Sequence, residues 1–289
     1  MKRRNLLIFL SLFVILALVL VTCGGGTPAA EPTEEPATAV EEPAATEPAA
    51  EAPTTEEPTA EPAAMEGVTC AEPIKVGLIT DETGALAIYG AHILRGFPLG
   101  MEYATGAPGV DNGDYTSYML DNCEIQVYVR DDQSTPDITA TAGRELIEEV
   151  GVSVLVGTVS SGATATLQEL ARENQVPLIV APAAANDITG DNFNEYTFRT
   201  SRNNYQDAVN ICDYMTKEYS TFVQIAPDYS FGYGGATAFR DACTLYGGEF
   251  VADDIFAPAD TTDFTPYMEQ ILDSGADAFL VTWAGGGFV

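Results

Sequence analysis

The chain has 289 residues, which is enough for one large domain or for two lobes of ordinary size. Its 43 acidic and 12 basic residues give a net charge of -31. This charge excludes a nucleic-acid-binding protein, because the chain has no basic surface that could displace the counterions of phosphate groups. Hydrophobic residues make up 46% of the chain, so the charge does not indicate disorder throughout. A single histidine disfavours histidine-rich metal sites and histidine-dependent catalysis, and we predict neither a metal nor a cofactor.

Residues 1–23 have the pattern of an export signal. Basic residues occupy positions 2–4, an apolar run covers residues 6–21, and Thr22 and Cys23 follow it. A retained transmembrane anchor is the alternative, but the run is shorter than the ~20 apolar residues that a spanning helix needs. The end of the run resembles a bacterial lipobox, in which Cys23 is lipidated, although Thr22 stands where Gly, Ala or Ser is usual. We expect the chain to be attached to a membrane in either case.

Residues 24–67 form a low-complexity segment of Glu, Pro, Ala and Thr. The segment holds 8 of the 17 prolines and 11 of the 43 acidic residues, and it has no Lys or Arg. Such a composition buries too little apolar surface to offset the entropy of ordering the chain. We predict a disordered, solvated spacer with a span of roughly 35–40 Å. A lipid-type cysteine followed by this spacer and a globular body indicates a tether.

The folded region begins with alternating strand and helix patterns. Residues 74–80 (IKVGLIT) predict a strand, and residues 85–103 have a helical pattern that Pro98 should kink. A loop rich in Gly, Asn and Asp covers residues 106–122. The alternation continues with strands at residues 124–130, 153–156 and 177–180 and with helices at residues 137–150 and 163–174.

The same rhythm resumes after a loop at residues 181–196. It predicts helices at residues 205–218, 234–246 and 264–272 and strands at residues 222–226, 249–256 and 278–282. Strict alternation implies parallel sheets with helices on both faces. We therefore predict an α/β protein with two doubly wound parallel-sheet lobes, at residues 68–200 and 201–289. No closing helix follows the last strand, so we expect an incomplete second lobe and a truncated gene product or fragment.

Four cysteines besides Cys23 fit an exported protein. Cys70 and Cys123 precede strands that should be neighbours in a parallel sheet, so the two residues would lie at the same edge. A bridge between them would close a loop of about 50 residues and contribute about 4 kcal/mol in the chain-entropy treatment. Cys212 and Cys243 lie on helices that flank one strand, and they can pair only if both helices cover the same face. Inert buried thiols are the alternative, and no C-x-x-C spacing indicates zinc.

Ligands of parallel α/β sheets bind beyond the carboxyl ends of the strands. The loops at these ends cover residues 81–90, 131–136, 157–162, 181–186, 227–235 and 282–287. In the third loop Ser160 and Ser161 open a helix, and free backbone N–H groups beside two hydroxyls suit a carboxylate or another small anion. On its own this motif favours an ordinary serine N-cap. Asp131 and Asp132 should point to opposite faces, which favours turn and cap groups over a metal or acid–base pair.

The loops and strands together resemble a known family. The segments IKVGLIT, YG, DDQS, GTVSSG, VPLI and FRT occur in the same order as in the type I periplasmic binding proteins of ABC importers, in the branched-chain amino acid group. The resemblance covers about residues 72–289. It implies two lobes that close on a ligand like a hinge.

The resemblance also implies roles for individual residues. Ser161, with Ser160 beside it, would donate to a ligand carboxylate, and Ala183 would offer backbone groups. Tyr89 would cover the ligand from the first lobe, and Phe231 and Trp283 would contribute from the second. Two departures from leucine binders stand out: Ala185 replaces a common Thr and removes a hydroxyl donor, and Phe231 stands where Tyr is frequent. The acidic partner of the ligand ammonium in that group would lie past Val289.

We therefore expect a lipid-anchored, extracytoplasmic solute-binding protein at the cell surface or in the periplasm. It would act as a monomer, bind a small amino acid-like ligand and deliver it to an ABC permease. The alternatives are the ectodomain of a signalling receptor, which needs a transmembrane segment after the second lobe, and a binder of another small amide or carboxylate. An enzyme is disfavoured, because His92 lies in a helix with no G-x-S-x-G motif around it.

Overall fold

The centre of the first sheet is a strand of nearly uninterrupted apolar residues. The computed structural model describes residues 67–285, and its first strand, β1 (Ile74–Thr80), is buried from Val76 onward. A parallel strand that is covered on both faces has this pattern. The predicted signal peptide, Cys23 and all but the last residue of the predicted spacer lie outside the described residues.

Seven strands form the first sheet, in the order β2-β3-β4-β1-β5-β6-β7. Besides β1 they are β2 (Val110–Asp111), β3 (Thr116–Leu120), β4 (Cys123–Asp131), β5 (Val154–Val156), β6 (Leu178–Val180) and β7 (Thr197–Arg199). β1 pairs in parallel with β4 and β5, and Val76 lies opposite Val127 on one side and Val154 on the other. β6 and β7 continue the parallel order, so the carboxyl ends of five strands lie at one edge.

Helices cover both faces of this sheet. They are α1 (Ala87–Thr105), α2 (Pro136–Arg144), which continues as a π-helical turn through Val150, and α3 (Ser161–Asn174). On one face Leu94 and Phe97 of α1 pack against Leu78. On the other face Leu167 of α3 packs against Leu155. Pro98 lies inside α1 and does not end it.

The second sheet has the order β10-β8-β11, with β9 paired to β8. Its strands are β8 (Thr221–Pro227), β9 (Glu249–Phe250), β10 (Ile255–Ala257) and β11 (Ala278–Val281), and its helices are α4 (Asn204–Met215), α5 (Ser230–Leu245) and α6 (Thr265–Asp273). Ala208 of α4 and Phe239 of α5 pack on Phe222 at one face. Ile271 of α6 packs on Val223 at the opposite face. All the strand pairs of this sheet are parallel.

The predicted α/β fold with helices on both faces of two sheets is confirmed, with three differences in detail. The predicted loop at residues 106–122 contains β2 and β3, which pair antiparallel, so the first sheet is mixed. The buried Tyr118 anchors β3 to the core, although Gly, Asn and Asp surround it in sequence. β7 is an additional three-residue strand that follows the predicted loop. The predicted strand at residues 249–256 is two short strands, β9 and β10, which both pair with β8 on the side opposite β11.

Two disulfides are present in the structure. Cys70 is joined to Cys123 with a Cα–Cα distance of 4.8 Å, and Cys212 to Cys243 with a Cα–Cα distance of 4.7 Å. The first lies where the chain enters the sheet, next to the bridge between Thr69 and Asn122. The second forms because α4 and α5 cover the same face of the second sheet, which was the condition that the sequence left open.

One crossing joins the two sheets within residues 67–285. β7 ends at Arg199 and α4 begins at Asn204, with Asn203 as its N-cap and Gln206 completing a capping box. The crossing, residues 200–203, therefore places the first sheet's edge strand directly before the second sheet's first helix. Within the described part of the chain, no helix combines the length and the apolar character of a membrane span.

Candidate ligand-binding site

A cavity of about 190 Å³ lies where loops from both sheets meet. The first sheet contributes Leu86, Tyr89, Val159 and residues 182–184, the second contributes Tyr229, Phe231, Trp283 and Ala284, and the crossing contributes Ser201 and Arg202. All the sheet residues follow the carboxyl ends of parallel strands, where this class of fold binds ligands. Four of the seven residues predicted from the sequence line the cavity: Tyr89, Ala183, Phe231 and Trp283.

Four aromatic side chains line the cavity: Tyr89, Tyr229, Phe231 and Trp283. Tyr89 comes from α1, and its ring meets His92 edge-on at 6.4 Å between centroids. Tyr229 and Phe231 lie 5.9 Å apart at the start of α5, and Trp283 packs edge-on against Phe264 at 4.9 Å. Such rings offer a large apolar surface at a small cost in side-chain entropy.

Tyr229 is the most perturbed ionisable group of the cavity. Burial, with a smaller effect from the facing Tyr89 phenol, raises the pKa of Tyr229 above its ordinary value. Its hydroxyl therefore stays protonated at neutral pH and can donate a hydrogen bond. Tyr229 lies in a loop that the sequence identified, but its position did not distinguish it from Phe231.

The crossing supplies the polar side of the cavity. Ser201 Oγ is buried and has no hydrogen-bond partner among the described residues. The adjacent Arg202 is the only basic residue that residues 67–285 contribute to the lining, and its Nε lies 3.3 Å from Asp207 Oδ2. No Asp or Glu of the described part of the chain lines this cavity. A hydroxyl and a guanidinium side by side suit an anionic group, and sequence reasoning missed both because they follow an edge strand rather than one of the predicted loops.

Ser160, Ser161 and Ala185 lie behind the cavity wall rather than in it. Ser160 Oγ accepts the N–H of Ala163 at 3.4 Å, which makes it the N-cap of α3. Ser161 Oγ accepts the N–H of Ala185 at 3.3 Å, and all three residues are at most 5% exposed. Both hydroxyl oxygens therefore accept backbone hydrogen bonds, and Val159, just before them, lines the cavity instead.

Two carboxylates hold the loops that carry Leu86 and Tyr89. Asp81 is fully buried, and its carboxylate accepts the N–H groups of Gly84 and Leu86 and the hydroxyl of Ser134. From the neighbouring strand, Asp131 accepts the N–H of Glu82 at 2.8 Å. The loop after β1 and the loop after β4 are thus bonded to each other in both directions.

Asp131 and Asp132 have separate partners. The Asp132 side chain is fully buried and accepts the N–H of Ser134 and the hydroxyl of Thr139. Burial raises the pKa of Asp132, whereas hydrogen bonds, the largest from Thr83, lower the pKa of Asp131 against the effect of desolvation. Within residues 67–285, no group of three or more His, Cys, Asp or Glu side chains is arranged to hold a metal ion.

Comparison with known proteins identifies the family. The sequence pattern of the family described as periplasmic binding protein matches residues 73–289. The chain belongs to the periplasmic binding protein family. The resemblance inferred from the sequence motifs is therefore confirmed.

Individual family members match over about half of their length. A Leu/Ile/Val-binding protein homolog from Brucella abortus is 29% identical over 71% of this chain and 50% of its own. The crystal structure of an ABC-type branched-chain amino acid transporter protein from Rhodopseudomonas palustris is 36% identical, with a TM-score of 0.56 over 74% of this chain and 56% of its own. A solute-binding protein from R. palustris in complex with benzoate is 28% identical, with a TM-score of 0.64 over 75% of this chain and 57% of its own.

Proposed function

We propose that this periplasmic binding protein is the solute receptor of an ABC importer. It binds a small carboxylate with an aromatic or branched apolar body in the cavity between the two sheets and delivers it to the permease. The observation that supports this function is the cavity wall itself, because Tyr89 from one sheet and Phe231 and Trp283 from the other enclose one space. A ligand in that space contacts both sheets, and this favours a closed arrangement of the two.

The polar groups of the cavity indicate an acid. Arg202 supplies a positive charge, and Ser201 supplies a buried hydroxyl without a partner among the described residues. An unpaired buried hydroxyl is costly unless a ligand or a water bonds it. The carboxylate of a ligand would satisfy both groups, and the aromatic wall would contact its apolar body.

The two ligand classes named for the relatives differ in what they require. An aromatic acid such as benzoate, which the R. palustris protein binds, needs one anionic subsite and an apolar pocket. A branched-chain amino acid, which the names of the Brucella relatives indicate, also needs a partner for its ammonium group. The lining formed by residues 67–285 has a cation for the carboxylate that both classes share, and its four aromatic side chains favour the aromatic acid. The amino acid is the second candidate.

A thermal-shift screen tests the proposal directly. Benzoate, 4-hydroxybenzoate, leucine, isoleucine, valine and acetamide are each added to the protein, and a binder raises the melting temperature by mass action. At 100 times the Kd the gain is about 2.7 kcal/mol. We expect benzoate to stabilise the protein more than leucine. No shift with any carboxylate would contradict the proposed function.

The variant Arg202→Gln tests whether Arg202 itself binds the ligand or whether any positive charge on the protein has the same effect on affinity. It removes the guanidinium from the cavity and should weaken benzoate binding by about tenfold or more, as expected when a charge-assisted hydrogen bond is lost. Arg172→Gln is the matched control, because Arg172 is an exposed arginine that pairs with Glu169 on the surface of α3. Equal benzoate affinity in the two variants would remove Arg202 from the site.

A lipid anchor at Cys23, which lies outside the described residues, is part of the same proposal. The tether of residues 24–67 would hold the monomeric receptor near its permease, within a span of roughly 35–40 Å. Cys23→Ser should move the protein from the membrane fraction to the soluble extracytoplasmic fraction if the signal is cleaved elsewhere, and it should abolish labelling by a radioactive fatty acid. Unchanged labelling in this variant would exclude Cys23 as the lipid site.

A further inference from the structure

Two asparagines connect the loop after β6 to both helices at the start of the second sheet. The backbone N–H of Asn204 donates to Ala184 O at 2.9 Å, and its side-chain Nδ2 donates to Phe231 O at 3.0 Å. Asn186 Oδ1 accepts the N–H of Tyr205 at 2.9 Å, and its Nδ2 lies 3.5 Å from Gly234 O. We call this pair, Asn186 and Asn204, the asparagine bridge.

Each end of the bridge holds one wall of the cavity. Ala184 belongs to the first sheet's wall and Phe231 to the second sheet's wall, and Asn204 bonds the carbonyl groups of both. Asn204 is 3% exposed, so its hydrogen bonds are shielded from water.

The chemistry of the bridge requires a side-chain donor at this position. Both Nδ2 groups face backbone carbonyl oxygens at the start of α5, and Asn186 Oδ1 faces a backbone N–H of α4. A carboxylate of the same size in place of Asn204 would set an acceptor against Phe231 O, where neither group has a hydrogen to donate.

We propose that Asn204 is a positioning residue for ligand binding, which holds Phe231 against the first sheet's side of the cavity before a ligand enters. This inference rests on the proposed function, since it assigns a role in the same cavity. Such pre-organisation raises affinity, because the ordering of the wall does not have to occur on binding. Loss of the Nδ2 bond should therefore raise the Kd for benzoate by about 3–10-fold.

The only tryptophan of the chain, Trp283, lines the cavity, so its fluorescence reports on the packing of the cavity wall without a ligand. Trp283 and Phe231 line the same cavity, so release of Phe231 should expose the indole to small solutes. We would measure acrylamide quenching of Trp283 fluorescence, the melting temperature and benzoate affinity on the full-length protein. The variants are Asn204→Ala and the isosteric Asn204→Asp. Asn174→Ala is the control, because its exposed amide donates only to Leu170 O of its own helix, away from the cavity.

We expect stronger quenching in both Asn204 variants at temperatures well below their melting transitions, and quenching equal to wild type in Asn174→Ala. A purely structural role would lower the melting temperature and leave quenching of the folded protein unchanged, and that result would overturn the inference. If Asn204→Ala does not fold, Asn186→Ala applies the same test at the other half of the bridge. If wild type binds none of the screened carboxylates, the proposed function fails, whereas the quenching result still decides whether the bridge holds the wall.

Discussion

The hydroxyl oxygen of Ser161 lies 3.3 Å from the backbone nitrogen of Ala185 and accepts its hydrogen bond. This contact joins the start of α3 to the loop that follows β6, across the carboxyl ends of two neighbouring strands. Since the oxygen only accepts here, the hydroxyl hydrogen remains available to a further acceptor. Because Ser161 lies behind the cavity wall, the donation to a ligand carboxylate that the family resemblance implies stays a prediction.

Ser161→Ala should weaken both the fold and ligand binding. The substitution leaves the N–H of Ala185 buried without an acceptor, so the free energy of unfolding should fall by about 1–3 kcal/mol. Urea unfolding measures this loss, and Ser153→Ala, at an exposed serine just before β5, is the control. Benzoate affinity should fall as well, because the loop that Ser161 bonds carries Ala183 and Ala184 of the cavity wall. A loss of stability with unchanged affinity would limit Ser161 to a role in the fold.

Asp81→Asn should destabilise the loops that carry Leu86 and Tyr89. The buried carboxylate of Asp81 accepts from three donors, and an amide would present a donor to at least one of them. Hydrogen bonds to a charged group are each worth about 1.5–3 kcal/mol, so we expect a loss in that range or above. Urea unfolding should show it, with weaker benzoate binding. The exposed Asp253→Asn serves as control, and similar midpoints for the two variants would disprove this role of Asp81.

The fold was predictable where a strand or helix has its own apolar pattern. The parallel strands β1 and β5 are runs of branched apolar residues, and the packing of helices on both faces follows from their order. β3 was missed because its single deeply buried side chain, Tyr118, lies among turn-forming residues. β7 has three residues, one of them exposed, so only its pairing with β6 makes it a strand.

The sequence predicted those residues of the candidate site whose position follows from the order of the strands alone. Tyr89 and Trp283 follow strand ends, and parallel sheets bring such positions together. Arg202 and Ser201 lie in the crossing between the sheets, and their approach to the cavity depends on how the second sheet folds back. Asn204 would be taken from the sequence for an ordinary helix-start residue, because its partners are 20 and 27 residues away.

The two disulfides should contribute comparably to stability. The paired cysteines lie 53 and 31 residues apart in the sequence. For loops of these lengths, the chain-entropy treatment assigns about 4 kcal/mol to each disulfide. The paired substitutions Cys70→Ser with Cys123→Ser, and Cys212→Ser with Cys243→Ser, should each lower the free energy of unfolding by up to this amount. Mass spectrometry of non-reduced digests checks the pairing first. Free thiols at either pair in the exported protein would contradict the corresponding bridge.

Asp277 should make part of the protein's stability dependent on pH. It lies just before β11, and its pKa is lowered by hydrogen bonds, the largest from Thr221 and a further one from the N–H of Ser220. A carboxyl whose pKa is lower in the folded state stabilises the fold above its unfolded pKa of about 3.9, and this contribution is lost as the pH falls through the folded pKa. Asp277→Asn should therefore melt below wild type at neutral pH, and the difference should shrink in acid. The control is Asp260→Asn, at an exposed position, whose melting temperature should differ from wild type by the same small amount at every pH. A difference in melting temperature that does not change with pH for Asp277→Asn would contradict the role of Asp277.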